Sequence, residues 1–443
     1  METKKLTLFH LAWPIFIETA LFMLLGFVDV FVLSKYDDVA ASAVSTANQA
    51  VSICTLVFTI ISGASAVLIS QNLGAGNKEN ASRIAALSIS FNIILGIIIS
   101  AVLVIFNQPI LEFIGAKDKV LEYATQYLQI VGGFIFLQAL MGALVVIIRN
   151  HGHTQISMYV TVAMNIINTT LDIIFVLGLL GMPRMGIAGV AIATSLSRVV
   201  GTIVLLIILF IKIEKPSIFK LLKPFPYREV KNLLKIGVPS AFESFNYNLS
   251  QLVVTAIVLN FLTTTELVTK TYVQNIAMFF YIFSVSIGQA SQILVGHLVG
   301  AKKYDEAYKS GLRSFRTALT ITMAMCVLGI IFRIQLMNLF TDDPAVIVAG
   351  STLILLNIFI ELGRTSNLVI INSLRGAGDV VFPTTAAIFS MWTLSTLGSY
   401  LLAVVLGMGL NGLWIAFAAD ECFRGILMLW RWKSGKWRTK ALT

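Results

Sequence analysis

Asp29, Asn168 and Asp172 have the side chains and the setting to do chemistry in this chain. Residues 22–33 read FMLLGFVDVFVL, eleven uncharged residues around the single carboxylate of Asp29. Asp172 sits in a second apolar run, and Asn168 precedes it by four residues, which on a helix puts amide and carboxylate on one face. A charge at the centre of a bilayer costs on the order of 2.5–3.5 kcal/mol even on lenient insertion scales, so such an acid should face the bundle interior and have a partner. Two carboxylates and an amide offer hard oxygen ligands for Na+, or a site where an acid is held protonated by apolar surroundings and releases its proton on the other side. The competing reading is that Asn168 and Asp172 hydrogen-bond the backbone of a neighbouring helix.

Other polar residues fall within apolar stretches. Glu18 and Glu243 each lie one turn past a proline, Pro14 and Pro239. Each is either a cavity-facing acid that attracts cationic ligands or an acid that satisfies backbone groups freed at the proline. Asn48 with Gln49, and Gln274 with Asn275, are paired amides able to donate to and accept from varied ligands, or to bond one helix to another. Asp420 and Glu421 lie close to Arg424 in the last apolar run and read as a structural charge group. The 29 Phe and 14 Met suit an adaptable cavity for organic cations, although lipid-facing helices use the same residues.

Several chemistries are disfavoured. Cys54, Cys326 and Cys422 are far apart and form no C-x-x-C pair, and His151 and His153 have no ligand cluster around them. No phosphate-binding G-x-x-x-x-G-K-[ST] segment occurs, so energy for any pumping must come from an ion gradient or a partner. We expect no enzyme activity and no cofactor.

The elements that must position these residues are membrane helices. The chain has 443 residues, 57% of them hydrophobic and 12% charged, with a mean hydropathy of +0.87. Soluble domains carry about 25% charged residues. About twelve runs are long enough to span, near 8–34, 43–70, 86–106, 120–148, 156–180, 187–211, 234–262, 271–296, 315–336, 345–373, 381–406 and 410–432. They are continuously apolar rather than alternating, which favours helices over a β-barrel. The first run is too long for a signal peptide and is read as a retained helix.

With the N-terminus inside, the even-numbered connections and the C-terminal tail gather most of the lysines and arginines, including Lys78, Arg149, Lys220, Lys303, Arg375 and Lys436. The opposite loops hold only Lys35, Lys117, Lys119, Arg184 and Lys270. That asymmetry places both termini in the cytoplasm. It also accounts for the net charge of +10 as a topology signal toward anionic lipid, with no nucleic-acid partner needed.

The chain repeats itself. QNLGAGNKENA (71–81) matches HLVGAKKYDEA (297–307) at an offset of 226, and the same offset relates Arg149 to Arg375, Arg198 to Arg424 and Gly186 to Gly412. WPIFIE (13–18) matches VPSAFE (238–243) at 225, which pairs Glu18 with Glu243. The expected organisation is therefore an N-lobe over 1–211, a cytoplasmic linker over 212–233 and a C-lobe over 234–443. Six helices per lobe restore the same membrane orientation, making the lobes parallel repeats suited to rocking between two states of access.

The doubled LGAG and VGAK loops, RGAGDVVFP (375–383), the Val-Asp pair of the first helix and the N-x-x-x-D of the fifth resemble the multidrug and toxin extrusion (MATE) family over essentially the whole chain. The fifth helix is most similar to the DinF-like bacterial branch. The resemblance implies an all-α, multi-pass protein of the bacterial inner membrane, with two pseudo-symmetric six-helix lobes forming a V-shaped central cavity. It implies alternating-access antiport of small organic cations against H+ or Na+, by a protein expected to be a monomer in the lipid bilayer. In this type Asp29, Asn168 and Asp172 form the N-lobe cation site, with Na+ a possible ligand, and Thr194 of the sixth helix joins them.

The C-lobe departs from the family pattern. The acid of the seventh helix in NorM-like members is Tyr247 here, with Glu243 one turn earlier, and the acid of the tenth falls near Arg364. Arg364 can pair with Glu361 as a buried bridge or contact substrate or the other lobe. The alternative function is a flippase of lipid-linked oligosaccharide or lipid from the same superfamily, which calls for a strongly cationic cavity. A channel would show a ring or filter, and nothing in the sequence resembles one.

Overall fold

The computed structural model describes residues 7–34 and 37–442; the side chains of residues 25–27, 29–31, 34 and 38 lie outside that description. Among the described residues there is no strand. The long helices are α1 (Leu8–Ser34), α2 (Asp38–Gly74), α3 (Lys78–Ile105), α4 in two segments (Asp118–Gly133 and Ile135–Asn150), α5 (Thr154–Leu177) and α6 (Gly186–Ile208). They are followed by α7 (Tyr227–Phe261), α8 (Thr264–Gly300), α9 (Tyr304–Ile331), α10 (Pro344–Gly376), α11 (Val381–Ser390, continued by wider turns to Val405) and α12 (Gly409–Lys433). Each of the twelve apolar runs coincides with one of them.

Most helices outrun their apolar segments. α10 has 33 residues, about 50 Å at 1.5 Å per residue against a hydrocarbon core of about 30 Å, so its ends extend beyond the core into polar surroundings. Those ends are capped locally. Thr263 and Glu266 form a reciprocal capping box at the start of α8, and Asp343 accepts from the Ala345 N–H at 2.8 Å ahead of Pro344 in α10. Among the described residues eight helices are long and apolar enough to cross a membrane unaided, or nine with the two segments of α4 taken as one span. α12 carries Asp420, Glu421 and Arg424, and α7 carries the polar stretch NYNLSQ (246–251). Those two therefore depend on partners within the bundle for their polar groups.

Two elements have no counterpart among the expected spans. Short helices at Asn107–Ile114 and Arg333–Asn338 follow α3 and α9, and their first residues are 226 apart, so the repeat extends to them. α4 bends by 46° at Phe134, directly after Gly132 and Gly133, whereas the equivalent stretch of α10 holds Ile358 and Phe359 and is helical without a break. A Gly pair is a recognised cause of such a break.

The described residues divide into two compact units, one comprising residues 13–73 and 77–237 and the other residues 7–12, 74–76 and 238–442. The first has a core in which Leu33, Val44 and Phe58 meet Leu128, Val131 and Val190. The second has one cluster around Val258, Phe280, Leu353 and Trp414, and another around Val299, Ile370, Met428, Trp432 and Trp437. Between α6 and α7 the chain turns through a π-helical turn at Leu209–Ile213 and a 3-10 helix at Pro216–Leu222. Ser82 of α3 holds this connection by donating to both carboxylate oxygens of Glu214, at 2.7 and 2.8 Å. Burial pushes the Glu214 carboxyl above its usual range, and the Ser82 hydrogen bond opposes that rise.

Candidate functional site

In the N-terminal unit α5 and α6 lie side by side and bring Asn168, Asp172 and Thr194 together. Asp172 is fully buried and Asn168 and Thr194 nearly so. Asn168 Nδ2 donates to Thr194 Oγ1 at 3.3 Å. With its amide turned over, the orientation its surroundings favour, Asn168 donates to Asp172 Oδ2 at 3.1 Å and accepts from the Thr194 N–H at 3.3 Å. A carboxylate, an amide oxygen and a hydroxyl so placed form a compact oxygen-rich group in an apolar span, suited to a proton or a small monovalent cation. Position 29 lies on α1, but the Asp29 side chain lies outside the described residues.

Glu18 and Glu243 have partners that neither sequence reading anticipated. Arg149, in the last turn of α4, approaches Glu18 Oε2 at 2.6 Å. Arg375, in the last turn of α10, bonds Glu243 Oε2 at 2.8 Å, and Thr384 Oγ1 of α11 donates to the same oxygen at 2.9 Å. The two ion pairs are equivalent under the repeat: in each unit the first helix is tied to the C-terminal end of the fourth. Neither acid is a free negative charge for attracting a cation.

The paired amides are less enclosed. Asn48 accepts from Tyr127 Oη at 3.3 Å, and Gln49 lines a cleft of about 420 Å³ with Ser42, Thr46 and the Ile114–Asp118 loop. Gln274 is exposed and Asn275 half-buried on α8. Tyr247 of α7 is exposed over about half its surface, 48%.

Arg364 belongs to a larger group that the sequence showed only in pieces. Its Nη1 bonds Glu361 Oε1 at 2.7 Å, its Nε reaches Glu421 Oε1 at 3.5 Å, and its guanidinium lies over the Tyr281 ring at 5.0 Å from the centroid. Arg424 contacts Glu421 Oε1 at 3.1 Å and grips Asp420 with two bonds, Nη2 to Oδ2 at 2.8 Å and Nε to Oδ1 at 3.1 Å. Asn367 donates to Glu421 Oε2 at 3.1 Å, and Ser390 donates to Asp420. Glycines make this convergence possible. A Cβ on Gly363 of α10 would stand 2.5 Å from the Cys422 backbone nitrogen, and one on Gly425 of α12 would stand 2.9 Å from the Gly363 carbonyl oxygen. The i,i+3 pair Glu361/Arg364 and the i,i+4 pair Asp420/Arg424 were visible in the sequence; that the two pairs meet was not.

A further polar group had no sequence signal. Ser284 of α8, Thr322 of α9 and Thr365 of α10 are fully buried and form a triangle of hydroxyls at 2.9–3.0 Å. Among the described residues no three His, Cys, Asp or Glu side chains are grouped to hold a metal ion.

Comparisons with known proteins agree with this architecture. The MatE family model matches residues 14–174 and 239–401, one match in each half. The chain is 41% identical over 439 residues to the uncharacterized transporter YisQ of Bacillus subtilis, covering 99% of this chain and 96% of that one. It is 28% identical to the probable multidrug resistance protein NorM of Thermotoga maritima, covering 100% and 94%. Among solved structures, the Vibrio cholerae MATE transporter VcmN in its bent form is similar with a TM-score of 0.88 at 17% identity, over 98% and 97% of the two chains. A transporter of the MOP superfamily from Pyrococcus furiosus is similar with a TM-score of 0.87 at 20% identity, over 97% and 96%.

Proposed function

The chain belongs to the MatE family, and on that premise we propose that it is a secondary active exporter, exchanging organic cationic or amphiphilic compounds for H+ or Na+ by alternating access. The observation that carries this reading is the fully buried Asp172, held with Asn168 and Thr194 in a membrane span where an acid has a high cost unless it works. Asp29 completes the coupling group in this reading. Ion and substrate compete for one set of carboxylates, and that competition is sufficient to enforce exchange. The N-terminal unit is the coupling unit. The protein is a monomer in the bacterial inner membrane with both termini in the cytoplasm. The names of the NorM relatives support multidrug export.

The flippase alternative calls for free arginines facing a pyrophosphate. Arg149, Arg364, Arg375 and Arg424 are all engaged by carboxylates, which weighs against it.

The test is efflux of ethidium from proteoliposomes under an imposed proton or sodium gradient. Wild type should transport under one of the two gradients, identifying the ion, and Asp172→Asn should lose at least nine-tenths of that flux. Undiminished gradient-driven flux in Asp172→Asn would remove this residue from coupling; absence of wild-type flux under both gradients would sink the exporter reading.

A further inference from the structure

The connection between α6 and α7 begins where the apolar span of α6 ends, at Ile213, the level at which a membrane helix meets lipid headgroups. From Lys212 to Lys235 it carries seven lysines and arginines against two acids. All seven cations are exposed, and among the described residues none of them forms an ion pair. Both acids are turned into the protein. The Glu214 side chain, 8% exposed, takes the Ser82 hydroxyl, and that of Glu229, 12% exposed, faces Arg83 of α3 at 3.8 Å.

The aromatic side chains follow the cations outward. Phe219, Phe225 and Tyr227 are 39%, 49% and 77% exposed, the last two rings meeting edge-on at 4.8 Å between centroids. They are held in that position. The 3-10 helix Pro216–Leu222 packs on α3 with Ile218 buried, and Pro216, Pro224 and Pro226 restrict the backbone around it. The segment is a docked strap that presents a basic and aromatic face.

The repeat supplies the contrast. In the other half, the segment after α12 turns the same residue types inward: Trp437 is fully buried and stacks on Trp432 at 4.3 Å, and Arg438 bonds Asp305 at 2.8 Å. The Lys436 amine lies 5.5 Å from the centroid of the Trp430 ring. There the rings and cations serve the protein itself. After α6 they are left for something outside the chain. A merely solvated basic face has no use for three exposed rings among its lysines. The surface of an anionic bilayer takes both, since rings settle at headgroup level and cations meet the phosphates.

We propose that the strap over 212–235 is a binding surface for anionic phospholipid headgroups. Lys215, Lys220, Lys223 and Arg228 meet the phosphates, and Phe219, Phe225 and Tyr227 lie at headgroup level. Through Ser82 and Arg83 the bound lipid is tied to α3, and so to the N-terminal unit. The surface depends neither on the exported compound nor on the coupling ion, so it can be tested without transport.

The experiment is native mass spectrometry of the full-length protein in a neutral detergent, counting bound lipids as phosphatidylglycerol or phosphatidylcholine is titrated in. Wild type should bind its first phosphatidylglycerol at least about tenfold more tightly than phosphatidylcholine. Replacing Lys215, Lys220 and Lys223 together by Gln should cost about tenfold in that affinity. Replacing Lys433, Lys436 and Lys440 by Gln changes the net charge equally and should leave it as in wild type. Phe219→Ser combined with Phe225→Ser should weaken phosphatidylglycerol binding with every charge retained. Inorganic phosphate in excess should not displace the lipid. All the replaced side chains are exposed, and thermal unfolding without added lipid verifies that each variant is folded. Equal affinity for the two lipids, or equal losses in the two lysine variants, overturns the proposal. Displacement by inorganic phosphate overturns it in favour of a free-anion site, and indifference to the loss of both rings in favour of a solvated basic face. None of these results bears on the exporter reading, which has its own efflux test.

Discussion

Glu18 and Glu243 occupy the same place in the two halves but not the same environment. The Glu18–Arg149 side chains are 3% and 13% exposed, against 14% and 25% for Glu243–Arg375. Removing one member of a buried pair leaves the other charge uncompensated, at a cost of about 3–5 kcal/mol, and that cost falls as solvent gains access. Glu18→Gln should therefore destabilise the protein by about 3 kcal/mol and Glu243→Gln by about 1–2 kcal/mol. Thermal unfolding of the two variants in detergent checks the order, and equal losses would show that exposure does not set the cost. The acids themselves were legible as unusual residues. Their partners were not, because hydrophobic pattern and local spacing say nothing about a contact between residues 18 and 149.

At the scale of elements, helix contact depends on where a side chain is missing. Gly363 and Gly425 let α10 and α12 meet backbone to backbone, and a methyl group on Gly363 has nowhere to go. Gly363→Ala should lower stability by about 1–3 kcal/mol through overpacking. Gly63 of α2 is the control: a Cβ there meets nothing within 4 Å, so Gly63→Ala should be neutral or stabilising by about 0.5–1 kcal/mol from helix propensity. Thermal unfolding of both variants separates the packing effect from the general consequence of replacing glycine. All twelve spans could be read from the chain because a helix crossing lipid must be apolar along some 20 consecutive residues. The short helices Asn107–Ile114 and Arg333–Asn338 could not, since segments of eight and six residues have too few turns to display a period. The bend of α4 was written in Gly132 and Gly133, but glycine is common in membrane helices and marks a bend only when the structure uses it so.

At the scale of the molecule, duplication gives both units the same ladder of helices and the same ion pair but different buried polar chemistry. The position equivalent to Asp172 is Gly398, and the position equivalent to Glu361 is Ile135. The offset of 226 could be read without a structure, and so could the asymmetry of basic residues that predicts orientation. In a variant lacking the three native cysteines, an impermeant maleimide should label Lys117→Cys in intact cells and leave Lys303→Cys unlabelled until the membrane is opened. The reverse pattern would invert the topology. The network from Glu361 to Asp420 could not be assembled from sequence, because it joins two helices whose nearest contributing residues, Asn367 and Asp420, are more than fifty positions apart.

The tie between α1 and α4 also constrains biosynthesis. Glu18 is made early, and Arg149 leaves the ribosome 131 residues later, after three further helices. Until then the acid has no Arg149 to neutralise it in the bilayer, so it is best accommodated near the lipid headgroups. The C-terminal unit repeats the same delay between Glu243 and Arg375. Neither half can close this tie before its fourth helix is delivered, and the fifth and sixth helices must then join a half whose first and fourth are already fastened together.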